Sequence, residues 1–240
     1  MTNASISQDI KAMIVSGPPG IGKSYGVEKQ LEKASMFDVI SAVDQKYEVV
    51  KGAMTPLGLY STLYKHSASG HVLVFDDCDV VLQDDLSLNL LKAALDSGRK
   101  RRVCWNADSH LLRREGIPNS FDFEGSVIFI TNLKFNHIRS KKLQDHLEAL
   151  QSRCHYLDLT LDTMRDKLLR VRQIAETGEL FNDYNLSDKQ GKEIIAFMEK
   201  HKNELREMSL RMALKIADLC TISEKRWKLL AKNTCMKNSF

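Results

Sequence analysis

The chain carries no Cys-x-x-Cys pair, no internal repeat and no low-complexity segment. It also lacks any apolar run approaching the roughly 20 residues that a membrane-spanning helix needs. Each absence removes a class of protein. The five cysteines, Cys78, Cys104, Cys154, Cys220 and Cys235, are scattered and odd in number. That pattern fits neither a zinc site nor a disulfide framework and leaves them as buried or idle thiols. The opening residues Met1-Thr2-Asn3-Ala4-Ser5 lack the charged and apolar regions of a secretory signal, so a cytoplasmic location and no membrane partner are expected. Strong charge of one sign is missing too. The 35 lysines and arginines stand against 31 aspartates and glutamates, a net +4, which permits nucleic acid as a partner without selecting it. What remains is an ordinary soluble composition, 43% apolar and 28% charged over 240 residues. That length suits one large domain, or a core with a small satellite.

The most informative segment is Gly17-Pro18-Pro19-Gly20-Ile21-Gly22-Lys23-Ser24. Its spacing, G-x-x-x-x-G-K-S, is that of a phosphate-binding loop. The glycines let backbone N–H groups turn inward around phosphate oxygens. Lys23 reaches the β and γ phosphates, and the Ser24 hydroxyl ligates Mg²⁺. The context agrees. Lys11-Ala12-Met13-Ile14-Val15-Ser16 reads as a buried parallel strand. The segment from Ser24 and Tyr25 onward is helical, with Val27 and Leu31 four apart, and its N-terminus would face the phosphates. Residues 17–25 are therefore the candidate nucleotide-binding residues. An ordinary Gly/Pro turn is the competing explanation, and the order strand, loop, Lys-Ser, helix argues against it.

Strand-like and helix-like segments alternate through the first two thirds. Tyr47-Glu48-Val49-Val50-Lys51 reads as a strand. Residues 55–64 read as a helix, with Thr55 as N-cap and Pro56 at its first position. His71-Val72-Leu73-Val74-Phe75-Asp76-Asp77 is an apolar run ending in two acids, and a helix follows from Leu86 to Leu95. Residues 125–132 form another strand, a charged helix begins near Ser140, and residues 154–159 make a last short strand. This alternation predicts an α/β fold, a parallel sheet flanked by helices, over residues 1–161. Residues 162–240 read as a small all-helical subdomain. Its apolar stripes are Leu168, Val171 and Ala175; Ile194, Ile195, Phe197 and Met198; and Leu210, Ala213, Leu214 and Ala217, traced as far as Trp227. Breaks fall near Thr177-Gly178 and Asn185-Leu186-Ser187-Asp188, with Ser187 as an N-cap.

A phosphate loop hydrolyses nothing by itself. Asp76 and Asp77, at the carboxyl end of a parallel strand, face the ligand crevice of such a sheet. Asp76 is assigned to Mg²⁺, through water, and Asp77 to the attacking water. Asn132, at the end of the Val127–Thr131 run, would hold the water or the γ phosphate from the other side. A strand-terminating Asn in a turn is its structural alternative.

In this order of parts the chain resembles the AAA+ ATPase superfamily, and its compact layout is similar to that of phage-encoded members. Residues 17–24 match Walker A, residues 72–77 Walker B and residues 128–132 sensor 1, with a helical lid behind the sheet. Leu150-Gln151-Ser152-Arg153-Cys154 looks like the Ser-Arg-Cys motif of clamp-loader and helicase-loader members. The resemblance implies that Arg153 reaches a neighbouring subunit's nucleotide in a ring, pentameric or hexameric, and stabilises γ-phosphate charge in trans. Ser209-Leu210-Arg211-Met212-Ala213-Leu214 looks like sensor 2, which makes Arg211 a nucleotide contact; Arg206 competes for that role. The resemblance also implies ATP and Mg²⁺ as ligands. One departure matters: the family has Asp-Glu where this chain has Asp76-Asp77. A carboxylate set back by on the order of 1 Å can cost a large factor in rate.

Two segments would face a channel in a ring. One is Lys51-Gly52-Ala53-Met54. The other, between residues 96 and 124, holds Arg99, Lys100, Arg101 and Arg102, then Trp105, His110, Arg113 and Arg114. Cations beside an aromatic suit a phosphate backbone with base stacking. The alternatives are a solvated face, a Trp105 that only packs, or an added edge strand at Val103-Cys104-Trp105. Three function classes follow: an ATPase acting on single- or double-stranded DNA or with replication proteins, an ATP-driven protein remodeller, and a nucleotide-dependent switch with slow turnover. The first channel stretch offers only Met54 where a remodeller carries an aromatic. A small-molecule kinase fits the helical lid and Arg153 poorly.

Overall fold

The computed structural model describes residues 1–40, 46–133, 135, 140–177 and 180–237, the side chains of 36–40 excepted. The chain divides into two compact units, residues 1–17 with 23–159, and residues 18–22 with 160–240.

In the first unit, β1 (Ala12–Ser16), β2 (Tyr47–Lys51), β3 (Val72–Asp76), β6 (Ser126–Thr131) and β7 (His155–Asp158) form one parallel sheet in the order β2-β3-β6-β1-β7. The three inner strands are buried at every position, as continuous apolar runs require when helices cover both faces. The two-residue period of a strand divides their side chains between two cores. Ile14, Leu73, Phe75 and Phe129 pack with Leu59 and Leu63 of α3 (Pro56–Lys65), Leu88 and Leu91 of α4 (Asp85–Ala94), and Leu147 and Leu150 of α6 (Lys141–Gln151). Met13, Val15, Val74, Ile128 and Ile130 pack with Val27 and Leu31 of α2 (Lys23–Ile40).

Local chemistry starts these helices where the sequence predicts. The Thr55 hydroxyl accepts from the Gly58 N–H with Pro56 in the first turn. Asp84 caps α4 through the Ser87 N–H, and Ser140 caps α6 through the Leu143 N–H. A short 3₁₀ turn, Asp79–Leu82, comes between β3 and α4. Val103 does lie on a strand, but not as an edge of the main sheet. β4 (Arg102–Cys104) pairs antiparallel with β5 (Ser120–Asp122) in a separate two-stranded ribbon. It is extended by bonds from Phe123 N–H to Arg101 O and from Trp105 N–H to Asn119 O. The short α5 (His110–Arg114) lies between its strands.

The second unit contains α7 (Met164–Glu176), α8 (Asp188–Lys200), α9 (Leu210–Ile222) and α10 (Trp227–Cys235). Capping boxes start two of them, Thr163 with Asp166 and Ser187 with Gln190. The expected break at Thr177-Gly178 begins at Thr177, the C-cap of α7; Gly178 lies outside the described residues. α10 continues beyond the predicted helical pattern. Trp227, Ala231 and Cys235 recur every four residues along it and are buried, Trp227 edge-on to Phe197 with ring centroids 5.3 Å apart. Among the described residues no helix is long and apolar enough to cross a membrane.

Two glycines separate entropy from space. Gly26 lies within α2, and a Cβ there meets nothing within 4 Å. Gly26→Ala should raise stability by about 0.5–1 kcal/mol. A Cβ at Gly125 would sit 2.5 Å from the His66 carbonyl oxygen, so Gly125→Ala should lower stability by roughly 1–3 kcal/mol. Denaturant midpoints of the two variants, moving in opposite directions, check both.

Candidate active site

Sheet register assembles the site in the first unit. Ser16 of β1 lies beside Thr131 of β6, Asp76 of β3 beside Ile130 of β6, and Lys51 of β2 beside Asp76. The carboxyl ends of four adjacent strands therefore release their next residues side by side. Lys23, at the start of α2, is buried, and its ammonium donates to Gly17 O at 2.8 Å and to Asn132 Oδ1 at 2.7 Å. The other end of the same amide, Asn132 Nδ2, donates to Asp77 Oδ1 at 2.8 Å. Beside this chain, Ser24 Oγ donates to Asp76 Oδ1 at 2.9 Å, with Asp76 itself buried. Lys23, Asn132 and Asp77 thus form one connected group, and Ser24 with Asp76 a second.

Asp77 is held in an unusual backbone state. Its φ is +53°, in the left-handed region where a non-glycine residue costs energy and Asp is among the more tolerant types. Its N–H still donates to Ile130 O at 3.0 Å. The turn therefore leaves the sheet at Asp77 and puts the carboxylate outward, exposed to solvent.

Three residues near these groups, Thr131, Asp79 and Lys51, were not anticipated there. Thr131 Oγ1 donates to Asp79 Oδ1 at 2.6 Å, and burial pushes the Asp79 carboxyl above its ordinary pKa while the Thr131 hydrogen bond opposes that. Lys51, expected on a channel loop, instead has its Nζ 2.6 Å from Glu28 Oε1 and 3.6 Å from Asp76 Oδ2. The Glu28 contact leads the causes that raise its pKa. Met54 packs, partly buried, against the apolar core. Strand register explains the Lys51 contact: Lys51 is the residue of β2 aligned with Asp76.

In the second unit, the phosphate-loop residues 18–22 lie against helices. Gly20 and Gly22 have φ of +73° and +91°, backbone states that glycine alone adopts without strain. Gly20 O accepts from the Leu210 N–H at 2.8 Å, and Ile21 O from Arg170 Nε at 3.5 Å. Ile21 is buried. The Arg211 Cγ lies 3.7 Å from where a Gly20 Cβ would stand. Arg206 is committed elsewhere, with its Nε donating to Met236 O at 2.9 Å. Of the two competing arginines, Arg211 is therefore the one beside the loop. Pro18 is half-buried and Pro19 exposed. Tyr25, in the first unit, is exposed, with the Lys29 ammonium 5.5 Å from its ring centroid.

Arg153 lies in the turn between α6 and β7. Its Nη1 donates to Ala149 O at 2.6 Å, and its Nε stands 3.9 Å from Asp96 Oδ1. The basic stretch is less uniform than its composition suggests. Arg99, Lys100 and Arg102 are exposed. Arg101 is turned inward, bonded to Ala94 O at 3.3 Å and lying over the Phe123 ring at 5.2 Å. Burial pulls its pKa below the ordinary arginine value. Arg101 is therefore turned away from solvent, unlike its neighbours. Trp105 is half-buried against Tyr60, with ring centroids 5.7 Å apart, and belongs with the core rather than an open stacking platform. Arg113 is paired with Asp108 at 2.7 Å.

The donor set suits a nucleotide with a hard cation. A hydroxyl and a carboxylate, 2.9 Å apart, are oxygen ligands of the kind Mg²⁺ takes, and Ser24 and Asp76 would hold it together with water and phosphate oxygens. Among the described residues no cluster of three or more His, Cys, Asp or Glu side chains could hold a metal ion alone. A Mg²⁺ that borrows most of its ligands from water and phosphate does not need one.

No known protein-family profile matches the chain. Over 233 residues it is 37% identical to an uncharacterised 36.7 kDa protein from the nrdC-mobD intergenic region of Enterobacteria phage T4, an alignment covering 96% of this chain and 70% of the relative. Among solved structures, 98% of the chain is similar to Hsp104 bound to ATPγS and casein, with a TM-score of 0.51 and 17% identity. It is also similar, over 99% of its length, to domain III of the replication initiation protein DnaA from Thermotoga maritima, with a TM-score of 0.53 and 9% identity. At these identities the likeness is one of fold. The chain spans 37% of the Hsp104 chain and 91% of the DnaA domain.

The tight seat of the loop can be tested without any ligand. A Cβ at Gly20 would stand 2.8 Å from Ser209 Cβ, at a φ of +73°. Gly20→Ala should therefore cost roughly 1–3 kcal/mol of stability. An unfolding midpoint equal to that of the parent would show that the loop is not packed in this way.

Proposed function

Because the chain belongs to the family of the 36.7 kDa phage T4 protein and has the fold of the AAA+ ATPases, we propose that it binds ATP with Mg²⁺ and hydrolyses the terminal phosphate. That chemistry would take place at the subunit interfaces of a homo-oligomeric ring, pentameric or hexameric, in the cytoplasm of a host cell. The observation that carries it is the connected group Gly17, Lys23, Asn132 and Asp77 beside the Ser24–Asp76 pair.

Each residue has a role that its chemistry allows. The phosphate-loop N–H groups and Lys23 bind the phosphates. Ser24 and, through water, Asp76 would hold Mg²⁺, whose charge supports the developing negative charge of phosphoryl transfer. Asp77 orients the attacking water and draws off its proton. The Asn132 amide links that carboxylate to Lys23, so acid and cation are positioned together. Arg211, beside Gly20 of the phosphate loop, would be a further nucleotide contact. Arg153 would serve a neighbouring subunit in place of its present partners, the Ala149 carbonyl of α6 and the Asp96 carboxylate.

DNA, or a protein complex replicating it, is the proposed object of the cycle. Arg99, Lys100 and Arg102 support this as exposed cations on or next to one ribbon, and the DnaA relative by fold is named a replication initiation protein. A second reading, a nucleotide-dependent switch with slow turnover, has its own support. Asp77 is a short acid already engaged by Asn132.

Lys23→Ala should abolish ATP binding in a fluorescent-nucleotide titration. Asp77→Asn should bind ATP with near-parental affinity yet release phosphate at least about 100-fold more slowly. Phosphate release unchanged in Asp77→Asn would move the base elsewhere; negligible release by the parent protein with ATP-dependent assembly would favour the switch. For DNA, the combined change of Arg99, Lys100 and Arg102 to Ala should reduce the salt slope of binding by about 2–3. An unchanged slope would return those cations to a solvated face.

A further inference from the structure

The turn after β3 carries a third acid that has no role above. Asp79 opens the 3₁₀ turn and accepts the Thr131 hydroxyl at 2.6 Å. Thr131 is fully buried, and its Oγ1 in turn accepts the Leu133 N–H at 3.0 Å. Leu133 O accepts from Ser16 Oγ of β1 at 3.1 Å. The residues on both sides of Asn132 are thus fixed by side chains from two other strand ends, and Asn132 is the residue between them. Its amide must present oxygen to Lys23 and nitrogen to Asp77 at the same time, which tolerates little rotation of the backbone beneath it.

We propose that Asp79 is a positioning residue for the reaction: through Thr131 it fixes the backbone at 131–133, and so aims the Asn132 amide that joins Lys23 to Asp77. The inference rests on the ATPase reading above. A side-chain oxygen at hydrogen-bond distance fixes a buried hydroxyl whether it belongs to a carboxylate or to an amide. A partly buried carboxylate is costly unless such a partner holds it. Asp79 touches neither nucleotide nor water in this scheme; its influence passes through Thr131.

Four variants of the full chain separate this role from a general structural one: Asp79→Ala, Asp79→Asn, Thr131→Val and Thr131→Ser. The measurements are ATP affinity, single-turnover phosphate release, retention of ADP with aluminium fluoride, and amide hydrogen exchange at Leu133 in nucleotide-free protein. Asp79→Ala and Thr131→Val should keep ATP affinity within about twofold but slow phosphate release at least about 10-fold, an effect on the chemical step rather than on ground-state binding. Both should lose ADP–aluminium fluoride retention and speed exchange at Leu133. Asp79→Asn and Thr131→Ser keep the acceptor and the hydroxyl, so they should recover most of the parental rate.

Parental release by Asp79→Ala overturns the proposal. So does a loss of ATP affinity in step with rate, because that marks a merely structural role. If Asp79→Ala fails to fold, Thr131→Val against Thr131→Ser decides by the same criteria. A parent chain that binds ATP without releasing phosphate instead sinks the hydrolytic reading; an active parent with an equally active Asp79→Ala sinks only the role of Asp79.

Discussion

The site depends on the alignment of three parallel strands. β6 lies between β1 and β3, and the register sets Ser16 against Thr131 and Asp76 against Ile130. Only then do the residues just beyond each strand emerge at one height. A slip of one residue would exchange the two faces of a strand. It would also carry Asn132 away from Lys23. Full burial of the inner strands makes such a slip prohibitive, since each would turn Met13 and Val15, or Phe75, towards the wrong core. The hydrophobic cores on the two faces of the sheet are therefore what holds the polar contacts at its rim.

Charge at that rim is concentrated and largely matched. Asp76, Asp77 and Asp79 fall within four residues, and repulsion among them must be offset. Lys23 is bonded to the amide that holds Asp77, and Lys51 approaches Asp76 while pairing with Glu28. Among the described residues no such cation lies at hydrogen-bond distance from Asp79, which accepts from the Thr131 hydroxyl. Asp77 bears the backbone cost, with its positive φ. Strain of this kind persists where surrounding contacts over-determine it, and here the Ile130 carbonyl and the Asn132 amide do so from opposite ends of the residue.

Much of this was legible in the sequence because it is written in short range. The phosphate loop, the acids ending an apolar run and the Asn ending another announce themselves by position relative to a strand. The caps Thr55, Ser140 and Ser187 do so by position relative to a helix. What was not legible depends on pairing between distant segments. Thr131 and Asp79 are unremarkable in sequence and meet only through the β3–β6 register. Lys51 was read with the loop that follows it, although its neighbour in space is Asp76. The run at residues 99–102 was legible in charge but not in orientation. Counting charges ignored alternation: Arg101 and Val103 are buried while Arg102 and Cys104 are exposed, the two-residue period of an extended chain. α10 was not traced past Trp227 because its apolar residues do not form a single stripe: Leu229 is exposed, and only Trp227, Ala231 and Cys235, four apart, mark the buried face.

The octapeptide at residues 17–24 is usually thought of as a portable cassette, complete in itself. Here its two ends belong to the sheet unit while its middle is seated on Ser209, Leu210 and Arg170. Residues far apart in the chain thus share a single steric constraint. Any side chain at position 20 would meet both Ser209 and a left-handed backbone, and a graft of the loop into a foreign scaffold would leave a carbonyl at Gly20 without the amide that receives it.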